Sequence, residues 1–304
     1  MKKDFLRLLD LSARDLDRLL ARASAWKRAG GRRRAARPLA GKILAMVFEK
    51  ASTRTRVSFE AGMLRLGGHA IFLSAQDTQI GRGEPARDTA RVLERYVDAV
   101  VVRTFAHRTA EELARAARVP VINGLTDTHH PCQVLADLFT ARERGLDLGR
   151  MRVAFIGDGN NVANSWVEAA HLLGFSLAVA CPPGYEPDAE VRREAERLGR
   201  GEVRIVRDPV EAARGAHVLY TDVWTSMGQE RERRARRAAF RGFRIDSDLL
   251  RAAGPRALVM HCLPAHRGEE ITEEVLEGPQ SVVFDEAENR MHVQMALLEA
   301  LIPH

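Results

Sequence analysis

The pentad Ser52-Thr53-Arg54-Thr55-Arg56 follows an apolar run, Ile43 to Phe48, and opens a stretch with helical spacing, Val57 to Leu66. Where a strand hands its chain to a helix, the first backbone N–H groups have no intrahelical acceptors, and the helix dipole adds positive potential. Arg54 and Arg56 add planar, permanently charged donors suited to paired phosphate oxygens. The chemistry on offer is a phosphate cradle. The same residues are compatible with a capped helix carrying two solvated arginines, since Ser and Thr are common caps. It is the interleaving of hydroxyls with two guanidinium groups that favours the anion.

Further polar groups stand where predicted strands end. Arg103 closes the run Ala99–Arg103, where a cation points into a crevice or out to the surface. His130-Pro131-Cys132-Gln133 begins a predicted helix, Pro131–Arg144. Imidazole and amide beside a helix N-terminus can bind a carbonyl or oxyanion, and His-Pro is equally a helix start. Asp222-Val223-Trp224-Thr225-Ser226-Met227-Gly228 follows the strand ending at Thr221. Asp222 there could hold an ammonium group and Ser226 a carboxylate; a surface loop with a capping aspartate is the plainer alternative. His261-Cys262-Leu263-Pro264 sits just past another strand, where Cys262 could be reactive or simply a small buried apolar residue. Arg290, after Phe284-Asp285-Glu286-Ala287-Glu288-Asn289, could reach back toward the crevice from the last helix.

Gly157-Asp158-Gly159-Asn160-Asn161-Val162 has part of a dinucleotide-binding pattern. The third glycine is replaced by Val162, and the next strand, Ser176–Ala180, runs into Cys181 without an acid for a ribose hydroxyl. A tight strand-to-helix turn that presents Asn161 and Asn164 fits better. A nicotinamide-dependent dehydrogenase is disfavoured on the same grounds.

These motifs need a scaffold of alternating strands and helices. Predicted strands are Ile43–Phe48, Ala70–Leu73, Ala99–Arg103, Val119–Ile122, Arg152–Ile156, Ser176–Ala180, Val203–Val206, Val218–Thr221, Ala257–His261 and Ser281–Phe284. Amphipathic helices fall between them, with Ser12 and Asp15 marking one helix start. The pattern is α/β: two doubly wound parallel-sheet domains with helices on both faces, joined by linker helices. Ligands of such sheets gather beyond the carboxyl ends of the strands, where every motif above lies.

The chain has 304 residues, 45% apolar and 29% charged, which suits two domains of a globular enzyme. No apolar run reaches the roughly 18 residues of a membrane span, and no secretory signal is visible, so a cytoplasmic protein is expected. Cys132, Cys181 and Cys262 have no CxxC spacing, which argues against a zinc site or a disulfide framework; no metal and no cofactor is expected. The net charge of +6 is almost wholly arginine, since all five lysines precede residue 51. The clusters Arg32–Arg34 and Arg231–Arg237 lie far apart without a nucleic-acid motif, so no nucleic-acid or membrane partner is expected.

Taken together and in this order, the motifs resemble the aspartate/ornithine carbamoyltransferase family. Ser-Thr-Arg-Thr-Arg and His-Pro-Cys-Gln are similar to its carbamoyl-phosphate signatures, Asp-Val-Trp-Thr-Ser-Met-Gly and His-Cys-Leu-Pro to those of the ornithine branch, and Ser74–Leu93 and Phe284–Leu298 also match. The resemblance implies carbamoyl transfer from carbamoyl phosphate to the side-chain amine of L-ornithine, giving citrulline. It implies that Ser52, Thr53, Arg54, Thr55, Arg103, His130 and Gln133 bind carbamoyl phosphate, with Gln79 reaching in from a neighbouring subunit of a homo-oligomer, a trimer or a multiple of trimers. Asn164, Asp222, Ser226 and Met227 would hold ornithine, and Cys262, Leu263 and Arg290 would line the reacting centre. Arg103, His130, Cys262, Asp222 and Thr55 would act in catalysis. The implied domains are residues 1–132 with the C-terminal helix 286–304, for carbamoyl phosphate, and 133–285, for ornithine. The arginine-rich stretch 231–237 and Met295 depart from the family pattern at positions that carry no ligand.

Overall fold

Among the described residues of the computed structural model (3–30, 37–75 and 83–303), nine strands alternate with helices. Gln79, Ile80, Gly81 and the cluster Arg32–Arg34 lie outside those residues. Along the first part run α1 (Ala13–Arg28), β1 (Ile43–Phe48), α2 (Thr53–Arg65), β2 (His69–Ser74), α3 (Ala86–Leu93), β3 (Ala99–Arg103), α4 (His107–Ala116), β4 (Val121–Leu125) and α5 (Pro131–Glu143). The second part has β5 (Arg152–Ile156), α6 (Asn161–Leu173), β6 (Ser176–Ala180), α7 (Ala189–Glu196), β7 (Glu202–Val206), α8 (Pro209–Ala213) and β8 (Val218–Thr221). It continues through α9 (Arg233–Ala239), α10 (Ser247–Ala253), β9 (Leu258–His261), α11 (Glu273–Leu276) and α12 (Val283–Leu301).

The chain divides into two compact units, Met1–Leu135 with Glu288–His304, and Ala136–Ala287. The first holds a parallel four-stranded sheet in the order β2-β1-β3-β4, the second a parallel five-stranded sheet in the order β7-β6-β5-β8-β9. Every residue of β3 and β8 is buried, which requires helices on both sheet faces. Ala45, Val47, Val100, Val102 and Val121 pack with Leu113 in the first core; Ile156, Leu219 and Val259 pack with Leu249 and Leu276 in the second. Each full burial of a Val, Leu or Ile side chain is worth about 2 kcal/mol.

Strand order places the motifs. In the first sheet the connection leaving β1 runs to one side, to β2, and the one leaving β3 runs to the other, to β4; in the second the connections leaving β5 and β8 part in the same way, to β6 and to β9. These are the points where a crevice opens above a doubly wound sheet. Ser52–Thr55 and Arg103 follow β1 and end β3, while Gly157–Asn161 and Asp222 follow β5 and β8.

Local signals govern the helix ends. Ser12 Oγ accepts the Asp15 N–H at 3.1 Å, and the Asp15 carboxylate accepts the Ser12 N–H at 3.3 Å, closing a capping box on α1. Two expectations are corrected. The fourth strand begins at Val121 rather than Val119. Ser281–Phe284 is no strand: Ser281 makes one isolated bridge to Val259, and the chain turns into α12 at Val283. A four-residue apolar stretch fits a strand or a buried helix start equally well, and periodicity cannot separate them. The later turns of α12 return to the first unit, where Glu299 accepts from Arg22 Nε at 2.7 Å and Trp26 Nε1 at 2.9 Å.

Candidate functional site

In the first unit, Ser52 caps α2, its Oγ accepting the Thr55 N–H at 3.2 Å. That leaves the other leading N–H groups of a 13-residue helix facing outward beyond the sheet. Thr55, Arg103, His130, Gln133 and Arg290 are all buried. Arg290 Nη2 donates to Thr55 Oγ1 at 2.8 Å, and its Nη1 donates to Gln133 Oε1. One guanidinium from α12 thus fixes a side chain of α2 and one of α5.

Burial, and then the charges of Arg290, Arg103 and Arg54, hold His130 well below the usual imidazole range. The positive charge of three guanidinium groups thus opposes protonation of a ring that, kept neutral, can donate one hydrogen bond without adding charge. Arg56 is not among them. It stacks 3.8 Å over the Phe72 ring and faces Glu60, so the pentad contributes one arginine to this group rather than two. Cys132 is structural: its thiol donates to the Asn123 carbonyl at 3.3 Å, and burial pushes it up to about 12.

In the second unit, Asp222 is the hub. Its Oδ2 accepts from Asn160 Nδ2 at 2.6 Å, and its Oδ1 accepts the Val223 N–H at 2.8 Å and the Cys262 thiol at 2.9 Å. Asn160 has a second task, since its Oδ1 caps α6 by accepting from Val162 and Ala163 N–H. Burial, then the charge and hydrogen bond of Asp222, push the Cys262 thiol well above its ordinary value, so it is protonated at neutral pH.

His261 lies behind. Its Nδ1 accepts the Leu263 N–H at 2.9 Å, which puts the ring proton on Nε2, 3.1 Å from the buried Glu270 carboxylate. Leu263 sits at φ +56°, an uncommon conformation for a branched residue, and that hydrogen bond helps hold it. The donor atoms of Asp222, His261 and Cys262 lie within 4.8 Å of one another, close enough to suggest a metal site. Both ring nitrogens of His261 are already engaged, however, so no imidazole lone pair remains for an ion.

The Ser226–Gly228 loop is more open. Met227 is exposed, the Ser226 N–H donates to Gln229 Oε1 at 3.0 Å, and the Gly228 N–H donates to Glu230 at 3.0 Å. Asn164 is buried, with its Oδ1 accepting the Asp188 N–H at 2.8 Å and so tying α6 to the start of α7. Asn161, first in α6, is the more exposed of the two amides. Sequence reasoning did not single out Asn160 or Glu270. A polar residue one place past the glycine pair was a signal for the first; nothing local marked the second.

Each unit of the chain is similar to known proteins. Residues 3–143 match the family description "Aspartate/ornithine carbamoyltransferase, carbamoyl-P binding domain", and residues 150–301 match "Aspartate/ornithine carbamoyltransferase, Asp/Orn binding domain". The chain is 59% identical to an ornithine carbamoyltransferase of Methanoculleus marisnigri, covering 99% of this chain and 97% of that one. It is 55% identical to an anabolic ornithine carbamoyltransferase of Pseudomonas aeruginosa, covering 99% and 98%. The solved ornithine carbamoyltransferase of Pyrococcus furiosus superposes with a TM-score of 0.94 at 50% identity, covering 98% of this chain and 96% of that chain.

Proposed function

Because this chain belongs to the aspartate/ornithine carbamoyltransferase family over nearly its whole length, we propose that it moves the carbamoyl group of carbamoyl phosphate to the side-chain amine of L-ornithine, yielding L-citrulline and phosphate for arginine biosynthesis. The observation that carries the reading is the buried Arg290 guanidinium joined to Thr55 in the first turn of α2 and to Gln133 at the start of α5, with buried Arg103 at the end of the adjoining strand β3. A dianion attached to a polarisable carbonyl is the ligand such a group suits.

The first unit binds carbamoyl phosphate and the second binds ornithine. Ser52, Thr53, Arg54 and the leading N–H groups of α2 take the phosphate oxygens. Thr55, Arg103 and His130 are the donors for the carbonyl oxygen, and Gln133 holds the carbamoyl amide. Arg290 keeps Thr55 and Gln133 in place on the carbonyl side. Asp222, Ser226 and Met227 hold the amino-acid end of ornithine with Asn164, near which Asn161 offers a more accessible amide. Cys262 and the Leu263 backbone serve the side of the attacking amine.

An alkyl amine titrates near 10.4, so ornithine arrives mostly protonated and inert. The arginines disfavour a second cation and thereby favour the neutral amine, while Asp222 acts in the opposite sense. As the C–N bond forms, charge grows on the carbonyl oxygen, where the three donors stabilise it. The C–O bond to phosphate then breaks, and the departing phosphate takes the amine proton. Cys262, a thiol at neutral pH, is a hydrogen-bonding partner rather than a nucleophile.

A homotrimer, with Gln79 completing a neighbour's phosphate site, is supported by large apolar side chains left exposed on the first unit: Val57 and Leu64 on α2, Ile71 on the edge strand β2, Val92 on α3 and Tyr96 in the turn after it. A cytoplasmic location is supported by three cysteines that are all free thiols, as a reducing compartment keeps them. No helix among the described residues is long and apolar enough to cross a membrane. The test is a colorimetric citrulline assay with carbamoyl phosphate and a panel of amines. Ornithine should be preferred by orders of magnitude over putrescine, N-acetylornithine and aspartate; no ureido product from any amine would refute the reading.

A further inference from the structure

The arginine-rich stretch 231–237 has no part in the chemistry above, yet one of its members is unlike the rest. Arg236 is buried, whereas Arg231, Arg233, Arg234 and Arg237 are exposed. Its Nη1 donates to Asp158 Oδ2 at 2.9 Å and to the Trp224 carbonyl at 3.0 Å, and its Nε donates to Glu232 at 3.1 Å. The guanidinium lies 5.0 Å from the Tyr185 ring centroid. Phe240, one turn on, stacks with Trp224 at 5.8 Å and meets Tyr185 edge-on at 4.7 Å.

The two segments held by that guanidinium are the two that present polar groups for an amino acid. Asp158 belongs to the turn after β5, whose Asn160 orients Asp222. The Trp224 carbonyl lies at the base of the loop that carries Ser226 and Met227. Next to Asp158, Gly159 packs against the Glu186–Pro187 backbone so closely that a side chain there would have no room. In the loop beyond Trp224 the Ser226 and Gly228 N–H groups bond locally, to Gln229 and Glu230.

We infer that Arg236 is a positioning residue for amino-acid recognition, fixing the base of the Ser226–Gly228 loop against the turn that aims Asp222. This rests on the assignment of ornithine to the second unit. Arginine suits the task because a planar fork can serve a carboxylate, a carbonyl and an aromatic face together, which a lysine ammonium cannot. Removing it leaves a buried carboxylate and a buried carbonyl without their shared donor, so the loop loses its register while the first unit's site is untouched.

The test compares Arg236→Gln, Arg236→Lys and Asp158→Asn with the wild-type full-length protein. Initial rates give KM for ornithine and for carbamoyl phosphate, and hydrogen exchange without substrates reports on the peptide 223–229. Arg236→Gln should raise KM for ornithine at least tenfold, leave KM for carbamoyl phosphate within twofold, and speed exchange in 223–229. Arg236→Lys and Asp158→Asn should shift the same two quantities by a smaller factor, which keeps the test open if the Gln variant folds poorly. Unchanged exchange with unchanged KM for ornithine in all three variants overturns the clamp, and an equal rise of both KM values overturns it in favour of a general structural role. Faster exchange with an unaltered KM for ornithine overturns the inference through the amino-acid assignment, leaving the contact itself intact.

Discussion

The Cys262 thiol donates to the Asp222 carboxylate across 2.9 Å, joining the ends of two neighbouring strands, β8 and β9. Burial sets the largest part of the thiol's raised pKa, and the Asp222 charge and hydrogen bond add to it. Asp222→Asn should therefore lower that value and speed alkylation of Cys262 by iodoacetamide at pH 8 several-fold. Mass spectrometry can assign the site, since Cys132 and Cys181 are buried. The same variant should raise KM for ornithine by about tenfold to a hundredfold, the scale of one lost charge-assisted hydrogen bond.

Arg103 ends β3 and is buried, and its charge helps hold His130 neutral. If it stabilises the developing oxyanion, Arg103→Ala should cost roughly 3 kcal/mol of activation free energy. Steady-state rates at saturating substrates should show kcat falling more than a hundredfold. Turnover near that of the wild type would remove Arg103 from the chemistry.

His130 should remain neutral across the working range, because burial and three nearby arginines all oppose a further positive charge. In ligand-free protein labelled at histidine with nitrogen-15, its ring signals should not titrate between pH 5.5 and 8. Any acid limb in the pH–rate profile then belongs to substrate or to another group. A midpoint near 6.5 for this ring would contradict the geometry.

Burial pushes the Asp158 carboxyl up to about 6 despite the Arg236 guanidinium beside it. Its unfolded value is near 3.9, so between the two the native state binds the proton and the unfolded state does not. Stability contributed by this group is therefore present at low pH and is lost as pH rises from about 4 to about 6. Asp158→Asn removes that slope. Unfolding free energies from urea titrations between pH 4.5 and 7 should move in the variant's favour as pH rises, by on the order of 2 kcal/mol overall, then level off.

At Gly159 an added Cβ would lie 2.2 Å from the Pro187 nitrogen and 2.3 Å from the Glu186 carbonyl carbon, both backbone atoms that cannot turn aside. Gly159→Ala should destabilise the protein by about 1–3 kcal/mol in denaturant titrations. It should also raise KM for ornithine, since Asn160 would be displaced from Asp222.

Which parts of this were legible in the sequence depends on how far each interaction reaches along the chain. The Ser12–Asp15 capping box, the cap of Ser52 on α2 and the strands Ile43–Phe48 and Arg152–Ile156 are set by residues within a few positions of each other, so pattern and propensity suffice to find them. The strand predicted at Ser281–Phe284 failed because a short apolar stretch has no period of its own.

The sequence by itself determined the alternating architecture, the motifs at the strand ends and, through their order, the family. Only the tertiary structure decided which side chains meet. Arg290 reaches Thr55 across 235 positions, Arg236 reaches Asp158 across 78, and Arg56 turns to Phe72 and away from the anion site although it stands two residues from Arg54. Those outcomes follow from strand order and from which groups lose their water on burial, and neither quantity is a property of any local stretch of chain.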